Sequence, residues 1–416
     1  MDFTLFIFLL VYLGMMLGHL PWLNVDRTGT AVMGAMALMI GGQIHPQAAW
    51  DAINFGTIGT LFGLMLVSAS FHEGGFYRWT AHKLGIMQVS PNILLGLMIL
   101  VSAGLSALLT NDVVMVAMIP VLCAITIARQ QNPIPYLLAC CFASNIGSTM
   151  TLIGSPRNII LAETTHASFP EFSSITLLPS IISLFVIWGV LVLFYKNHWT
   201  LTPTADSSGT TLQESTANEA PAPFNRVETI KAVLVTVAVI AAFVWTDWPH
   251  VLIALSAGTL LLLNRKISSH NLLQNVDANL LLMLMGLFVV NKAISETGDL
   301  TVAMDWLQGI GINLNSALQA FPITAVISDI IGNSATMMLI SPFIDPVREQ
   351  AALLTASISM ATGFSSNAVI FGSLSGIIAV EQAKANGVII TAREFGRSGI
   401  PITIITMLIA FAWVYF

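Results

Sequence analysis

The chain has 416 residues, of which 56% are hydrophobic and only 9% charged, with a net charge of −6 at pH 7. Soluble globular proteins carry about 25% charged residues, so this composition excludes one and predicts an all-α polytopic membrane protein. Three cysteines in apolar runs and eight histidines without ligand spacing argue against a disulfide framework and a metal cluster. We expect no cofactor, no nucleic-acid partner and no enzymatic site.

Apolar segments long enough for a lipid bilayer, separated by helix breakers, fill the first half of the chain. They are Phe3–Leu20, Thr28–Gly42, Gly56–Phe71, Pro91–Leu109, Val113–Ala128 and Ile175–Tyr195. The segment Ile134–Glu163 is interrupted at 144–158 by SNIGSTMTLIGSPRN. Because non-helical backbone at membrane depth must line a cavity or be buried in protein, this pattern predicts a broken helix.

A polar stretch separates the two halves. Residues 197–227 are rich in Thr, Ser, Pro and Ala, which predicts a linker between one domain at 1–196 and another at 228–416. The apolar pattern then restarts, with a second interrupted segment at 351–380. The other segments are Thr229–Trp245, Val251–Leu263, Val276–Ile294, Ile312–Ile331, Ala335–Ile344 and Gly399–Phe416.

A polar break inside an apolar run occurs twice. The stretch SALLTNDVVMVAMIP at 106–120 returns 222 positions later as SDIIGNSATMMLISP at 328–342. Gly154-Ser155 similarly returns as Gly372-Ser373. Several matches in the same order predict two structural repeats, each with one hairpin and one broken helix.

The distribution of positive charge predicts the topology. If each hairpin is re-entrant, each repeat makes five crossings and the two repeats are inverted. With both termini outside, the linker and twelve of the fifteen Lys and Arg residues are cytoplasmic, in a cytoplasmic or inner membrane. The twelve are Arg27, Arg78, Lys83, Arg129, Lys196, Arg226, Lys231, Arg265, Lys266, Lys384, Arg393 and Arg397.

The polar breaks are typical of a secondary transporter, in which half-helix ends present free N–H and C=O groups at the midplane. We expect the first hairpin tip to face the break in the first half. The tip is Thr110-Asn111-Asp112, and the facing residues are Asn145, Gly147, Ser148, Thr149 and Thr151. Their oxygens suit a hard cation, so Na⁺ is a candidate ligand at Asn111, Asp112, Asn145 and Gly147.

Three charged residues at membrane depth are candidate site residues, because such charges are costly in lipid. Asp112 can bind Na⁺ or carry a proton, or else cap a hairpin helix. Arg157 can contact an anion, or else pair with Asp112 or Glu163. Asp329 is a second candidate for proton coupling.

These motifs resemble those of the ion transporter superfamily, whose members include divalent-anion/sodium symporters, citrate carriers, arsenite permeases and sodium/proton antiporters. The resemblance is strongest at 106–120 and 144–163. It implies a homodimer with an elevator motion. In the first half it implies ion or substrate contacts from the tip and from Asn145, Gly147, Thr151, Gly154 and Asn158. In the second half it implies contacts from Gly332, Asn333, Ser334, Ser365, Ser366 and Asn367.

Asp112 and Arg157 depart from the dicarboxylate symporter pattern and look closer to the anion transporter branch near the arsenite permeases. We therefore predict a secondary transporter that moves a small inorganic or organic anion or oxyanion by symport or antiport with H⁺ or Na⁺. The alternatives are a Na⁺/H⁺ antiporter and an arsenite-type efflux permease.

Overall fold

A computed structural model describes residues 2–18, 25–200, 224–345 and 351–416. Within these ranges the regular elements are helices, and an isolated β-bridge joins Gln131 to Thr200. The first half contains ten α-helices. They are α1 Phe3–Leu17, α2 Arg27–Ile40, α3 Pro46–Asp51, α4 Phe55–Glu73, α5 Phe76–Gly85, α6 Pro91–Leu108, α7 Asn111–Ala128, α8 Ile134–Gly147, α9 Pro156–Thr165 and α10 Phe169–Tyr195.

The described part of the second half also contains ten α-helices. They are α11 Arg226–Trp245, α12 His250–Leu262, α13 Ser269–Gln274, α14 Ala278–Thr297, α15 Asp299–Gly309, α16 Ala317–Ile331, α17 Asn333–Ile340, α18 Ala351–Ser365, α19 Leu374–Ala385 and α20 Ala392–Tyr415. Most of the predicted linker, residues 201–223, lies outside the described residues.

Seven of the described helices are long and apolar enough to cross a membrane. These are α4, α6, α7, α10, α11, α14 and α20. The hairpin arms α6 and α7 have 18 residues each, about 27 Å of helix, so length alone would let them cross. Their re-entrant character therefore stays a prediction.

The predicted segment boundaries are mostly within three residues of the helix ends, and the two largest errors concern helices that contain an internal proline. Helix α10 begins at Phe169, six residues before the predicted Ile175, and Pro179 lies inside it. Helix α20 begins at Ala392 and contains Pro401, whereas the prediction began at Gly399. Pro170 lies in the first turn of α10, where proline is tolerated. Pro179 and Pro401 lie inside α10 and α20 without ending either helix.

Helix starts recur at a constant spacing. Helices α1, α2 and α4 begin at Phe3, Arg27 and Phe55, and α11, α12 and α14 begin 223 positions later. Two close helix contacts share this spacing. A Cβ on Gly63 of α4 would lie 2.3 Å from the Ala254 backbone of α12, and one on Gly286 of α14 would lie 2.8 Å from the Ala31 backbone of α2. Small residues thus let both helix pairs approach closely.

Each hairpin packs against the broken helix of its own half. Helix α6 packs on α8, and α16 packs on α18. The halves also interlock, because α7 contacts α19 and α17 contacts α9. This crossing of the halves brings both hairpin tips and both helix breaks into one polar region.

Candidate functional site

The first hairpin tip begins where α6 ends. Leu109 and Thr110 are extended, and α7 starts at Asn111. The Asn111 side-chain amide donates to Ser375 Oγ at 2.8 Å, and Ser375 Oγ donates to Asp112 Oδ1 at 2.8 Å. Ser375 is buried at the start of α19, so the tip residues bind to the break in the other half.

We expected Thr110, Asn111 and Asp112 to face the break of the first half, and this prediction is wrong because their hydrogen-bond partners lie elsewhere. Thr110 Oγ1 donates to Ser68 of α4 at 3.3 Å, and the other two bind Ser375. The sequence shows which stretches are polar but does not specify which of two similar breaks faces which tip. The hairpin arm, rather than the tip, contacts the break of the first half.

Two glycines allow that contact. A Cβ on Gly147 would lie 2.4 Å from the Ala103 backbone of α6, and one on Gly154 would lie 2.7 Å from the Ser106 carbonyl oxygen. Thr151 also donates to the Ala107 carbonyl, and Ser106 is hydrogen-bonded to Ser144. The predicted unwound segment is real: α8 ends at Gly147, a 3-10 turn covers Leu152–Gly154, and α9 begins at Pro156.

Arg157 lies in the first turn of α9 and is fully buried, with 0% of its surface exposed. Its Nη2 donates to Ser148 Oγ at 2.9 Å and to the Asn145 carbonyl at 3.3 Å. Its Nε and Nη1 have no hydrogen-bond partner among the residues that the structure describes.

Neither predicted alternative partner is in ion-pair contact with Arg157 in the described part of the chain. The Asp112 carboxylate nevertheless interacts with Arg157 electrostatically at longer range. Glu163 instead lies 3.5 Å from His250 of α12. A buried guanidinium without a carboxylate in direct contact is unfavourable by several kcal/mol, which is typical of a functional site.

The remaining predicted residues of the first break connect to the second half. The Asn145 amide donates to Asn367 Oδ1 at 3.0 Å and to Ser373 Oγ at 3.1 Å. Asn158 receives a 2.6 Å hydrogen bond from Ser359. Thr149, by contrast, is hydrogen-bonded to Ser180 of α10 at 3.0 Å, away from the tips.

The second tip is built around Asn333. Its Oδ1 accepts hydrogen bonds from Ser366 at 3.2 Å and from Ser328. Gly332 precedes it with φ +90° and ψ 155°, a conformation for which glycine is strongly preferred. Ser334 follows, partly exposed. One turn before this tip, Asp329 Oδ1 accepts from Ser365 at 3.0 Å. The second tip and break thus meet within one half, as predicted.

Three serines of the site were not predicted. Ser373 and Ser375 lie in the break GSLSG at 372–376, and Ser359 lies one helix turn before the other break, TGFSSN at 362–367. Ser375 occupies the position 218 residues after Arg157, the same spacing that relates Gly372 to Gly154. That spacing was the available signal, because it places Ser375 in the first turn of its half-helix.

The arrangement offers different chemistry on its two sides. The Oδ1 atoms of Asn111 and Asn145 are buried without donors, and the Asp112 carboxylate adjoins the first of them. Such oxygens suit a hard cation or a proton, whereas the free Arg157 N–H groups suit an anion. The described residues contain no cluster of three His, Cys, Asp or Glu that could hold a metal ion.

Known proteins are similar to this chain in sequence. The profile of the citrate transporter family matches residues 6–363. A 46 kDa membrane protein of Mycobacterium leprae is 28% identical over 409 residues, which are 93% of this chain and 93% of that protein. The silicon efflux transporter LSI3 of Oryza sativa subsp. japonica is 30% identical over 152 residues, 36% of this chain and 31% of that protein.

A solved structure shares the fold. The structure of Neisseria gonorrhoeae MtrF, described with a class of antimetabolite efflux pumps, superposes with a TM-score of 0.61 at 12% identity. The match covers 99% of this chain and 93% of that one.

Proposed function

This chain belongs to the citrate transporter family within the ion transporter superfamily, so it is a multi-pass membrane transporter and not an enzyme. From that premise we propose that it carries a small anion or oxyanion by secondary active transport, coupled to H⁺ or Na⁺. No cofactor is required, because the ion gradient supplies the energy.

The observation that carries this proposal is the state of Arg157. Its guanidinium is fully buried, lies in the first turn of α9, and has two nitrogens, Nε and Nη1, without a hydrogen-bond partner among the described residues. A helix N-terminus and a guanidinium both favour negative charge. A carboxylate or oxyanion at this position would satisfy donors that the protein leaves open, and hydrogen bonds to charged groups contribute about 1.5–3 kcal/mol each.

The coupling ion belongs at the first hairpin tip. Asp112 and Asn111 share Ser375 as a hydrogen-bond partner, and Asn111 Oδ1 remains available. Na⁺ could be bound by these oxygens, or Asp112 could be protonated and deprotonated during the cycle. Asp329, with its hydrogen bond to Ser365, is a second proton-coupling candidate.

The transport cycle that we propose uses two inverted repeats of five crossings each and an elevator motion within a homodimer. The constant 223-residue spacing of helix starts and the paired Gly63–Ala254 and Gly286–Ala31 contacts support the repeat. The charge distribution of the sequence supports external termini and a cytoplasmic linker in the cytoplasmic membrane. In this topology Lys292 and Arg348 are the two basic residues on the external side, and Arg348 lies outside the described residues.

A Na⁺/H⁺ antiporter is the second candidate, favoured by the Asp112 carboxylate among amide and hydroxyl groups. An arsenite-type efflux permease is the third, and the similarity of part of the chain to a silicon efflux transporter supports export. Soft thiolate recognition of arsenic receives no support from the site, because Cys140 and Cys141 are fully buried on α8 rather than at a tip.

The test uses purified protein in proteoliposomes that contain a pH dye. Na⁺ is added alone, and then citrate, phosphate, arsenate and arsenite are added singly under set H⁺ or Na⁺ gradients. We expect ion movement only when a transported anion is present. Proton movement on addition of Na⁺ alone would overturn the anion proposal in favour of the antiporter. Liposomes with Asp112→Asn protein serve as the matched control for coupling.

A further inference from the structure

Two buried side chains at equivalent positions of α4 and α14 each contact one of the two hairpins. Ser68 of α4 accepts a hydrogen bond from Thr110, the tip residue of the first hairpin, at 3.3 Å. Asn291 of α14 donates to the Met338 carbonyl in the second arm of the second hairpin at 2.5 Å. Ser68 and Asn291 are 223 positions apart, the spacing of the helix starts.

Each contact is supported by a buried tyrosine hydroxyl. Tyr77, at the start of α5, is hydrogen-bonded to Ser68 at 3.0 Å. Tyr12 of α1 donates to Asn291 Oδ1 at 3.0 Å. All four side chains are less than 9% exposed, so water does not replace these bonds in the described conformation.

The hairpin groups in these contacts are free to accept or donate them. Met338 is within the last four residues of α17, where a carbonyl oxygen has no intrahelical amide partner. Its carbonyl oxygen has two lone pairs and also accepts from Ser341 Oγ at 3.2 Å, so both bonds can form together. Thr110 precedes the first residue of α7 but makes no side-chain capping bond there, so its hydroxyl is available to Ser68. Neither contact therefore competes with a bond that the hairpin helices need.

We propose that the pair Tyr12–Asn291 is a positioning site that holds the second hairpin against α14. The pair Tyr77–Ser68 is the equivalent positioning site that holds the first hairpin against α4. This inference rests on the proposed function in one respect, that the hairpins move against these helices during transport. Each bond must then break as its hairpin moves, and its strength sets how often the hairpin leaves the described position. The two sites act separately, because each contacts one hairpin.

Hairpin-specific labelling tests this proposal without substrate or ion gradient, so it can succeed or fail independently of the transported species. A cysteine is introduced by Ser334→Cys in the second hairpin or by Val113→Cys in the first. Both positions are partly exposed, whereas Cys123, Cys140 and Cys141 are fully buried and give little background. The rate of reaction with a hydrophilic maleimide is measured on purified full-length protein.

We expect Asn291→Leu and Tyr12→Phe to raise the labelling rate at position 334 about three- to tenfold, the effect of one lost hydrogen bond, and to leave position 113 unchanged. Ser68→Ala and Tyr77→Phe should raise the labelling rate at position 113 and leave position 334 unchanged. Each pair of variants is therefore the matched control for the other. Tyr12→Phe keeps the ring and carries the test if Asn291→Leu does not fold. Unchanged rates, or equal increases at both positions in every variant, would overturn the proposal.

Discussion

The first hairpin tip ends in the carboxylate of Asp112, whereas the second tip ends in the hydroxyl of Ser334, 222 positions later. The half-helices α9 and α19 show the same difference, a charged residue in the first half and a hydroxyl in the second. Arg157 lies in the first turn of α9, and Ser375, 218 positions later, lies in the first turn of α19. One polar framework is therefore built twice, but only the first half has a carboxylate at its tip and a guanidinium at the start of its half-helix.

This difference indicates a division of work. The second half supplies neutral partners, Ser375 to Asp112 and Asn367 to Asn145, across the boundary between the halves. A purely structural role would not need charge in one half and hydroxyls in the other, since an uncharged cap avoids the cost of burial. The largest functional effects should therefore follow changes in the first half.

The largest expected effect is that of Arg157→Gln. Loss of the guanidinium removes the charged donors for the anion, about 2–3 kcal/mol, so anion uptake should fall roughly 30- to 150-fold. The melting temperature should hold or rise, because an unpaired buried charge is removed. Radiolabelled uptake and thermal melting check both parts. Arg129→Gln is the control, since Arg129 donates to the backbone carbonyls of Gly85 and Met87 and, within the described residues, to no side chain. Equal losses in the two variants would contradict the special role of Arg157.

Asp112→Asn should give the next largest effect. The amide keeps an oxygen for Ser375 but cannot bind Na⁺ as a carboxylate or carry a proton. We expect the variant to exchange labelled for unlabelled anion but to lose gradient-driven accumulation. Counterflow and uptake assays on the same liposomes separate these outcomes. Normal accumulation by Asp112→Asn would show that coupling lies elsewhere.

Gly332→Ala should have an intermediate effect, through the backbone of the second tip. The φ of +90° at this position would strain alanine by about 1–3 kcal/mol, and the new methyl group would also approach the Arg27 guanidinium. We expect lower folded yield and slower uptake. Gly104→Ala is the matched control, because nothing lies within 4 Å of its added Cβ and α6 gains helix propensity. A similar yield for both variants would argue that the tip tolerates other backbone geometries.

Asp329→Asn should have the smallest effect. Its oxygen can still accept from Ser365, and the site lies one turn before a tip that contains no carboxylate. Uptake under a proton gradient should change by less than about threefold. A loss as large as that of Asp112→Asn would move the coupling site into the second half and reverse the comparison.

Much of this site could be predicted from the sequence, because polar triplets and glycines inside apolar runs have few structural explanations. The breaks at Thr110, at residues 148–155 and at Gly332 all occur where they were expected. The partners across the halves could not be predicted. Ser375 reaches Asp112 through the packing of α7 on α19, and Asn367 reaches Asn145 through the packing of α8 on α18 and α19. No local pattern specifies these tertiary arrangements.

The positions of the remaining charges were also beyond local patterns. Glu163 is two turns after Arg157 on the same helix, yet it pairs with His250 on α12. A carboxylate six positions away lies on a different part of the helix surface from the arginine, because only residues three or four apart are close neighbours. Helix packing then decides which of the two finds a partner, and it leaves Arg157 open.

The most direct test of the central claim is anion binding to purified protein, followed as a shift in melting temperature with citrate, phosphate, arsenate and arsenite. We expect at least one anion to stabilise the wild type in a saturable manner. Arg157→Gln should abolish this shift in melting temperature, whereas Ser375→Ala and Arg129→Gln should retain it. The same shift in Arg157→Gln as in the wild type would contradict the assignment of the anion to the first half.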